Sequence, residues 1–302
     1  MAGQRPFRFG VSVRTAASAE EWARKATRAE ELGFSTFLVA DHFGDQLATT
    51  PALAAAAAAT SRIRIGSLVY SNDFRHPAVV AKEAATLDVL SGGRFELGLG
   101  AGWMRSEYRR AGIPFEAAGT RLERLTESVT IVKRLLEGGL VSFAGRHYAV
   151  EELEGKPRPV QRPRPPILIG GSRPRLLELA GQEADIVNLA ARSDGSDIGA
   201  ADVAAKASRV WEAAADREIE LSILVFGVRV GGDRSAAVAE LADELSVPAE
   251  GLPDSPHVLV GSEDEIAEAL LERRERLGIS YVVVFVESME PLAPVVARIS
   301  GR

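Results

Sequence analysis

The sequence predicts an α/β fold in the form of a single (β/α)₈ barrel, the TIM-barrel architecture, over residues 1–302. Short runs rich in β-branched and aromatic residues alternate with alanine-rich amphipathic stretches, which is the pattern of repeated βα units. Several of the runs are almost entirely apolar, as expected of strands covered on both faces. A chain of 302 residues with 46% hydrophobic content can fold as one such barrel.

Eight runs are strand candidates, and eight stretches between them are helix candidates. The strands are FRFGVSV (7–13), STFLVA (35–40), RIGSLVY (64–70), FELGLG (95–100), PILIGG (166–171), ADIVNL (184–189), ELSILVFGV (220–228) and SYVVVFV (280–286). The helices are 18–33, 50–60, 77–91, 120–138, 173–181, 202–217, 233–246 and 263–277. Glycines just past two of the helices, Gly33 and Gly138, are typical of helix ends.

Two segments interrupt this alternation. Residues 141–165 contain KPRPVQRPRP and residues 248–258 contain PAEGLPDSPH, and both are too rich in proline for core elements. We interpret both as insertions over the C-terminal mouth of the barrel. A doubly wound dinucleotide-binding sheet would need a glycine-rich turn after the first strand, and SVRTAASAEEW contains no glycine there.

Composition excludes several classes of function. The net charge is −6 and basic residues form no concentrated run, which argues against a nucleic-acid partner. The chain has no cysteine, so thiolate chemistry is excluded, and the four histidines (42, 76, 147 and 257) lie far apart, so we expect no metal site. The N-terminal MAGQRPFRFGVSV resembles no signal peptide and no stretch is long enough to span a bilayer, which predicts a cytoplasmic protein without a membrane partner.

The ends of the strands are the places to look for chemistry, because active sites of these barrels lie at the C-terminal ends of the strands. Asp41 and His42 follow the second strand, and His42 is a candidate proton donor because histidine titrates near neutral pH. The alternative interpretation is that Asp41 caps the next segment and His42 binds a loop carbonyl. The polar exit of the third strand, including Arg75 and His76, is explained by a loop that caps the helix after Pro77.

Two further strand ends carry glycine. Gly98, Gly100 and Gly102 precede Trp103, so a flat ring could approach the backbone there, although a tight turn would also explain the pattern. Segment 169–174, Ile-Gly-Gly-Ser-Arg-Pro, joins a strand to a helix N-terminus that can hold a phosphate. Ser172 as a simple helix N-cap is the alternative there.

At this point the sequence resembles a known family. The stretch 81–103, AKEAATLDVLSGGRFELGLGAGW, looks like the signature of the luciferase-like flavin or deazaflavin oxidoreductases. The likeness includes Ala40-Asp41-His42, Glu107, the GIPF segment at 112–115 and the strand at 166–171. It covers at least residues 7–190.

The resemblance implies a (β/α)₈ barrel that binds FMN or coenzyme F420 at its C-terminal mouth, with a bulge and a non-prolyl cis bond, here Ser67-Leu68, after the third strand. It assigns catalytic roles to His42 and its neighbour Asp41. The implied cofactor contacts are Ser67, Leu68, Val69 and Tyr70 behind the ring, Gly102 and Trp103 beside it, and Gly170, Gly171, Ser172 and Arg173 at the phosphate. The family's sugar-phosphate dehydrogenases carry a glutamate where this chain has Trp103, so their chemistry is not expected here.

The resemblance favours a coenzyme F420-dependent oxidoreductase that transfers a hydride to or from a small organic substrate. An FMN-dependent monooxygenase that uses reduced flavin and O₂, and a flavin-binding barrel without activity, remain open as alternatives. A homodimer and a separate reductase for the cofactor are the expected partners, besides the small-molecule substrate.

Overall fold

The computed structural model describes residues 5–302. The first four residues of the predicted domain, which also begin the segment used to predict a cytoplasmic location, lie outside the described residues. Within residues 5–302, no helix combines the length and the apolar character needed to cross a bilayer.

The strands and helices follow the predicted alternation. The strands are β1 (Arg8–Ser12), β2 (Thr36–Val39), β3 (Arg64–Ser67), β4 (Tyr70–Ser71), β5 (Phe95–Gly100), β6 (Leu140–Ala144), β7 (Ala149–Glu154), β8 (Ile167–Gly171), β9 (Ile186–Leu189), β10 (Glu220–Val225), β11 (Gly227–Val230), β12 (Val258–Gly261) and β13 (Ile279–Phe285). The helices are α1 (Ala19–Glu31), α2 (Thr49–Ala59), α3 (Pro77–Leu90), α4 (Arg105–Ala111), α5 (Ala118–Glu137), α6 (Pro174–Glu183), α7 (Ala200–Ala214), α8 (Arg234–Leu245), α9 (Glu263–Leu277) and α10 (Met289–Ile299).

The main sheet has the strand order of a (β/α)₈ barrel. In the part of the chain that the structure describes, the order is β3-β2-β1-β13-β10-β9-β8-β5-β4, with a further pairing of β3 to β5. The strand pairs with a defined register in this sheet are parallel. The predicted fold class is confirmed.

Among the described residues, one compact unit comprises residues 5–12, Arg28–Thr36 and Gly170–Arg302. In this unit β13 pairs with β1 and with β10, and β10 pairs with β9. Six of the seven residues of β13 are buried, and its run of valines suits a strand covered on both faces. A smaller parallel pair, β11 and β12, packs with α8 around Leu241, Leu252 and Val258.

The other compact unit comprises Val13–Thr27 and Phe37–Ile169. Its central strand is β5, which pairs with β3, β4 and β8 and has all six of its residues buried. The strand candidate at 95–100 therefore matches β5 at both ends. Most of the candidate site residues belong to this unit.

The predicted strand 220–228 is two strands in the structure. Its first part ends at Val225, because the next amide, Phe226 N, donates to the carbonyl of His257 rather than to a barrel strand. The chain then continues as β11, which pairs with β12. The hairpin β6–β7 and the helices α4 and α10 were not predicted.

The segment 141–165 corrects the prediction of an insertion over the mouth. Its first part forms the antiparallel hairpin β6–β7. In its proline-rich part, the amides of Val160 and Gln161 donate to Asp88 near the end of α3, and the Gln161 side chain donates to the carbonyl of Phe95 at the start of β5. These contacts lie at the N-terminal ends of the strands, where the chain must return to begin β8. The prediction is wrong for the proline-rich part.

The segment 248–258 lies beside the C-terminal part of β10. The Ser255 hydroxyl donates to the carbonyl of Ile198, at 2.5 Å. The amide of His257 donates to the Ser255 Oγ, at 3.2 Å. His257 Nδ1 is 2.8 Å from the carbonyl of Leu224 in β10. The His257 bond ties the segment to the C-terminal part of β10.

Candidate active site

Asp41, just after β2, has a carboxylate that is almost fully hydrogen-bonded. Its oxygens accept two hydrogen bonds from Arg75, at 2.6 and 3.1 Å, one from the amide of Ser71 at 3.0 Å and one from the Thr49 hydroxyl at 3.2 Å. A bidentate arginine and a backbone amide together fix the carboxylate in position. Asp41 therefore joins the end of β2 to the turn after β4.

His42, the next residue, pairs with a buried carboxylate. Its Nδ1 lies 2.8 Å from Oε2 of Glu107 in α4, and the side chains are 26% and 9% exposed respectively. Because a carboxylate accepts a hydrogen bond, Glu107 selects the imidazole form with its hydrogen on Nδ1. The other nitrogen, Nε2, is then the atom that can exchange a proton with a ligand.

An aromatic pair adjoins His42. The ring of Trp103 meets the imidazole edge to face, with centroids 5.7 Å apart, and Trp103 is 57% exposed. Phe43, which follows His42 in the chain, is 58% exposed, and its ring centroid lies 4.7 Å from that of Phe74. We call Phe43 and Trp103 the aromatic rim.

Gly102 shapes the turn that presents Trp103. Its φ is +74°, and a Cβ placed on it would lie 1.8 Å from the hydroxyl oxygen of Tyr108. No side chain fits at this position without moving Tyr108, which is 1% exposed. The positive φ and the nearby Tyr108 agree with the tight-turn interpretation of this run, and the approach of a flat ring to this backbone stays a prediction.

The end of the third barrel strand contains the predicted bulge. Gly66 pairs with Glu96 and Tyr70 with Leu99, so this edge advances four residues while β5 advances three. The cis bond is Leu68-Val69, one residue later than the Ser67-Leu68 bond that was expected. The amide of Leu68 still donates to the carbonyl of Val39 in β2, so sheet pairing extends through Leu68 and the irregularity follows it.

Ser67 and Gly98 bring the bulge against β5. The Ser67 hydroxyl bridges both the carbonyl and the amide of Gly98, at 2.9 Å each. A Cβ on Gly98 would lie 1.9 Å from the carbonyl oxygen of Ser67, so only glycine permits this contact. Ser67 is 1% exposed, whereas Leu68 and Val69 are partly exposed.

The Tyr70 side chain is buried and does not face solvent. It is 1% exposed, and its hydroxyl lies 2.7 Å from Oγ1 of Thr50, which donates to Glu83. Burial raises the pKa of Tyr70 above its ordinary value. The guanidinium of Arg75 also lies over the Tyr70 ring, at 4.7 Å.

A second buried group supports the rim from behind. The hydroxyl of Tyr108 is 3.1 Å from both Ser71 Oγ and Asp73 Oδ2, and Arg124 lies 3.2 Å from the other oxygen of Asp73. Burial raises the pKa of Tyr108 to about 12, so this residue remains a neutral donor at physiological pH. Burial also raises the pKa of Asp73, an effect that Arg124 opposes.

The predicted phosphate loop belongs to the other compact unit. Helix α6 begins at Pro174 with Arg173, not Ser172, at the N-cap position, and none of the described side chains caps it. Gly170, Gly171 and Ser172 are partly exposed, and Arg173 is exposed. The Ser172 N-cap alternative is therefore wrong by one residue.

The sequence does not indicate which residues bind Asp41 and His42. Glu107 was noted only within the resemblance, and nothing in the charged stretch RSEYRR around it indicates that this acid is buried. Arg75 was assigned to a capping loop, but it binds Asp41; His76 does cap α3, through Nδ1 and the amide of Ala78 at 3.2 Å. Long-range partners of this kind leave no local pattern in a sequence.

Relatives of known activity cover part of the chain. The F420-dependent glucose-6-phosphate dehydrogenase of Microbacterium testaceum is 35% identical over 193 residues, which is 60% of this chain and 55% of that protein. The FMNH₂-dependent dimethylsulfone monooxygenase of Pseudomonas putida is 31% identical over 128 residues, 42% of this chain and 35% of that protein. The chain thus spans about half the length of the dehydrogenases that it matches.

Solved structures match the whole fold. The coenzyme F420-dependent tetrahydromethanopterin reductase of Methanopyrus kandleri aligns with a TM-score of 0.79 at 20% identity, covering 98% of this chain and 100% of that chain. An F420-dependent secondary alcohol dehydrogenase aligns with a TM-score of 0.78 at 20% identity, over 97% and 99% of the two chains. These TM-scores and coverages establish the shared fold, and at 20% identity they establish nothing beyond it.

The family is settled by the sequence over most of its length. The model of the luciferase-like monooxygenase family matches residues 5–255, which contain the His42 region, the bulge after β3 and the Gly170–Arg173 loop. This chain belongs to the luciferase-like monooxygenase family.

Proposed function

We propose that this protein is a coenzyme F420-dependent oxidoreductase that transfers a hydride to or from a carbonyl or hydroxyl carbon of a small organic substrate. The observation that carries the proposal is the pair of His42 with the buried Glu107, at 2.8 Å, at the end of a barrel strand. Relatives named as F420-dependent dehydrogenases, at 32 to 35% identity, favour the deazaflavin.

The residues present suit a flat ring system. The break between β3 and β4 leaves Leu68 and Val69 partly exposed, and Trp103, which follows the turn at Gly102, is 57% exposed. We assign Leu68 and Val69 to backing the ring with their side chains, Ser67 and Tyr70 to shaping this wall through the backbone, and Gly102 and Trp103 to flanking it. A bound deazaflavin supplies or accepts the hydride at the substrate carbon.

His42 exchanges the proton that accompanies the hydride. With Glu107 holding Nδ1–H, Nε2 can donate a proton to a carbonyl oxygen, or accept one from a hydroxyl, once the substrate is in reach. The carboxylate of Glu107 stabilises the imidazolium form of the ring. Glu107 thus acts on the reaction through His42.

Asp41 has a positioning role in this proposal rather than a role in proton transfer. All four of its hydrogen bonds run to the protein, and two of them come from Arg75. It holds the backbone that presents His42 in a fixed relation to Ser71.

Gly170, Gly171, Ser172 and Arg173 bind a phosphate of the cofactor in this proposal. The uncapped start of α6 offers backbone amides and the positive end of the helix dipole, and the exposed Arg173 adds a positive charge. A Cβ on Gly171 would lie 2.3 Å from the Leu176 side chain, so the loop stays bare at this point. Replacing Arg173 by Ala should weaken cofactor binding and reduce its dependence on salt.

The experiment that tests the function is a titration of the purified apoprotein with oxidised coenzyme F420 and, separately, with FMN, followed by fluorescence under identical conditions. Tight binding of the deazaflavin and its reduction by an alcohol substrate are expected. Binding of FMN alone, with O₂ consumption coupled to product, would make this protein a monooxygenase, for which the dimethylsulfone monooxygenase relative gives a precedent. Binding of neither would leave a barrel without this activity.

We further propose that the protein is a homodimer in the cytoplasm and receives reduced cofactor from a separate reductase. An apolar outer face on α3, with Val79, Val89 and Leu90 exposed to 47%, 43% and 64%, suits contact with a second copy. Sedimentation should give twice the 32.2 kDa mass of the chain, and Leu90→Asp should shift it to the monomer. Cell fractionation tests the location.

A further inference from the structure

The aromatic rim is the most exposed apolar feature next to the candidate proton donor. Phe43 and Trp103 leave 58% and 57% of their surfaces open. Exposed apolar side chains that occur singly are ordinary, but a group of large ones at a polar site marks a surface for binding. Both rings adjoin His42, one through the chain and one through the contact at 5.7 Å.

Phe43, one of the two rim residues, is held from behind by other rings. The ring centroids of Phe43 and Phe74 are 4.7 Å apart, those of Phe74 and Tyr108 are 5.1 Å apart, and those of Tyr108 and Phe115 are 4.9 Å apart. The buried Tyr108 is in turn hydrogen-bonded through its hydroxyl. Rings fixed in this way lose little conformational freedom when they bind an apolar ligand, so their open faces are prepared for one.

Two of the buried carboxylates of the same region are each paired with an arginine, while Arg105, two residues after Trp103, is exposed. Asp41 binds Arg75 and Asp73 binds Arg124, in both cases with a carboxylate that is less than a tenth exposed. Recruiting either arginine to a substrate phosphate would leave a buried carboxylate without its partner, which is costly. The loop after Phe43 also carries an exposed acid, Asp45.

We propose that the substrate is an organic carbonyl compound, or the matching alcohol, with an apolar body that packs on Phe43 and Trp103; this rests on the proposed function. In the reductive direction a C–H bond forms at the carbonyl carbon with the hydride of the reduced deazaflavin, and the C=O π bond opens. The oxygen takes its proton from Nε2 of His42, which leaves an alcohol and the oxidised deazaflavin.

The test measures binding without turnover. The protein loaded with oxidised coenzyme F420 cannot reduce a ketone, so it is titrated by calorimetry with the 2-alkanones from butanone to octanone and with glucose 6-phosphate. We expect affinity to rise roughly two- to fourfold for each added methylene, with a negative heat-capacity change. A flat series, or tighter binding of glucose 6-phosphate than of any alkanone, would overturn the proposal.

Variants separate the rim from other roles. Phe43→Ala and Trp103→Ala should flatten the rise with chain length while the affinity for coenzyme F420 is kept, and Leu140→Ala, at a residue 72% exposed on β6, should change neither. Loss of cofactor affinity in the rim variants, with the alkanone series intact, would assign the rings to the cofactor and contradict the proposal. If the wild-type protein binds no coenzyme F420, the proposed function fails, and the same series on the apoprotein still tests the rim.

Discussion

His42 and His257 both lie beside the C-terminal part of a barrel strand, and their surroundings differ in the features that govern proton transfer. The His42 side chain is 26% exposed and its Nδ1 is 2.8 Å from a buried carboxylate. His257 is fully buried and its Nδ1 is 2.8 Å from the carbonyl of Leu224, while its Nε2 has no hydrogen-bond partner among residues 5–302. Burial lowers the pKa of His257 to about 4.

The difference shows that partner and exposure, not position at a strand end, decide what a histidine does. A carboxylate can stabilise the imidazolium that forms during proton exchange, and partial exposure lets a ligand reach the ring. A neutral carbonyl in a buried site gives far less compensation for a charge. His257 therefore stays neutral and packs flat against Phe226, with ring centroids 5.0 Å apart.

Removing the imidazole of His42 should give the largest effect. In His42→Ala we expect kcat to fall by roughly 10² to 10⁴, the range for loss of a general acid, while binding of oxidised coenzyme F420 is retained. Steady-state kinetics with the best alkanone and a fluorescence titration measure the two quantities. His257→Gln is the matched control and should keep its kcat. Unchanged turnover in His42→Ala with cofactor bound would remove the proposed role.

His257 should make stability depend on pH instead. Its pKa is lowered from 6.5 to about 4 in the folded protein, so between these values the unfolded chain binds a proton that the folded chain excludes. The free energy of unfolding should therefore decrease as the pH falls from 6.5 towards 4, by up to about 3 kcal/mol from this residue. Urea unfolding at several pH values, compared between wild type and His257→Gln, isolates this slope. Equal slopes in the two proteins would show that His257 is protonated in the folded state.

Glu107→Gln tests whether the partner gives His42 its role. The glutamine keeps the shape of the side chain but loses the charge that stabilises the imidazolium, so we expect kcat to fall roughly 10- to 10²-fold with little change in the KM of the alkanone. The control is Glu123→Gln, which alters a second carboxylate–histidine contact, at 3.2 Å to His147, away from the rim. A rise in KM without a fall in kcat would assign Glu107 to shaping the pocket.

The fold was predictable because its signals are local. β5 matches its candidate at both ends, since the alternation of FELGLG and the Gly92-Gly93 turn shortly before it are visible in the sequence. The division of 220–228 into two strands was not, because it depends on the bond of Phe226 to His257, which is distant in the chain. The course of the proline-rich part of 141–165 depends in the same way on Asp88.

The candidate site divides along the same line. His42 and Trp103 were found because their residue types and strand-end positions are visible, and the structure brings the two rings into contact. Glu107 was not selected, because its burial results from the way α4 packs and not from the residues beside it. The burial of the Tyr70 side chain could not be predicted either, because it depends on Thr50 in helix α2.

Glu127 extends the comparison to a carboxylate that serves the backbone, and here we expect the smallest effect. Its oxygens accept the amides of Arg146, His147 and Tyr148 at the hairpin tip, at 2.8, 3.0 and 3.0 Å. Burial opposes the charge, but these three bonds prevail and lower the pKa of Glu127, so its contribution is present above the ordinary value of 4.5 and is lost as the pH falls below it. Glu127→Gln should cost roughly 1 kcal/mol of unfolding free energy and speed hydrogen exchange at the three amides, while kcat stays unchanged. A large loss of kcat would mean that the hairpin, and not the His42 pair alone, controls the chemistry.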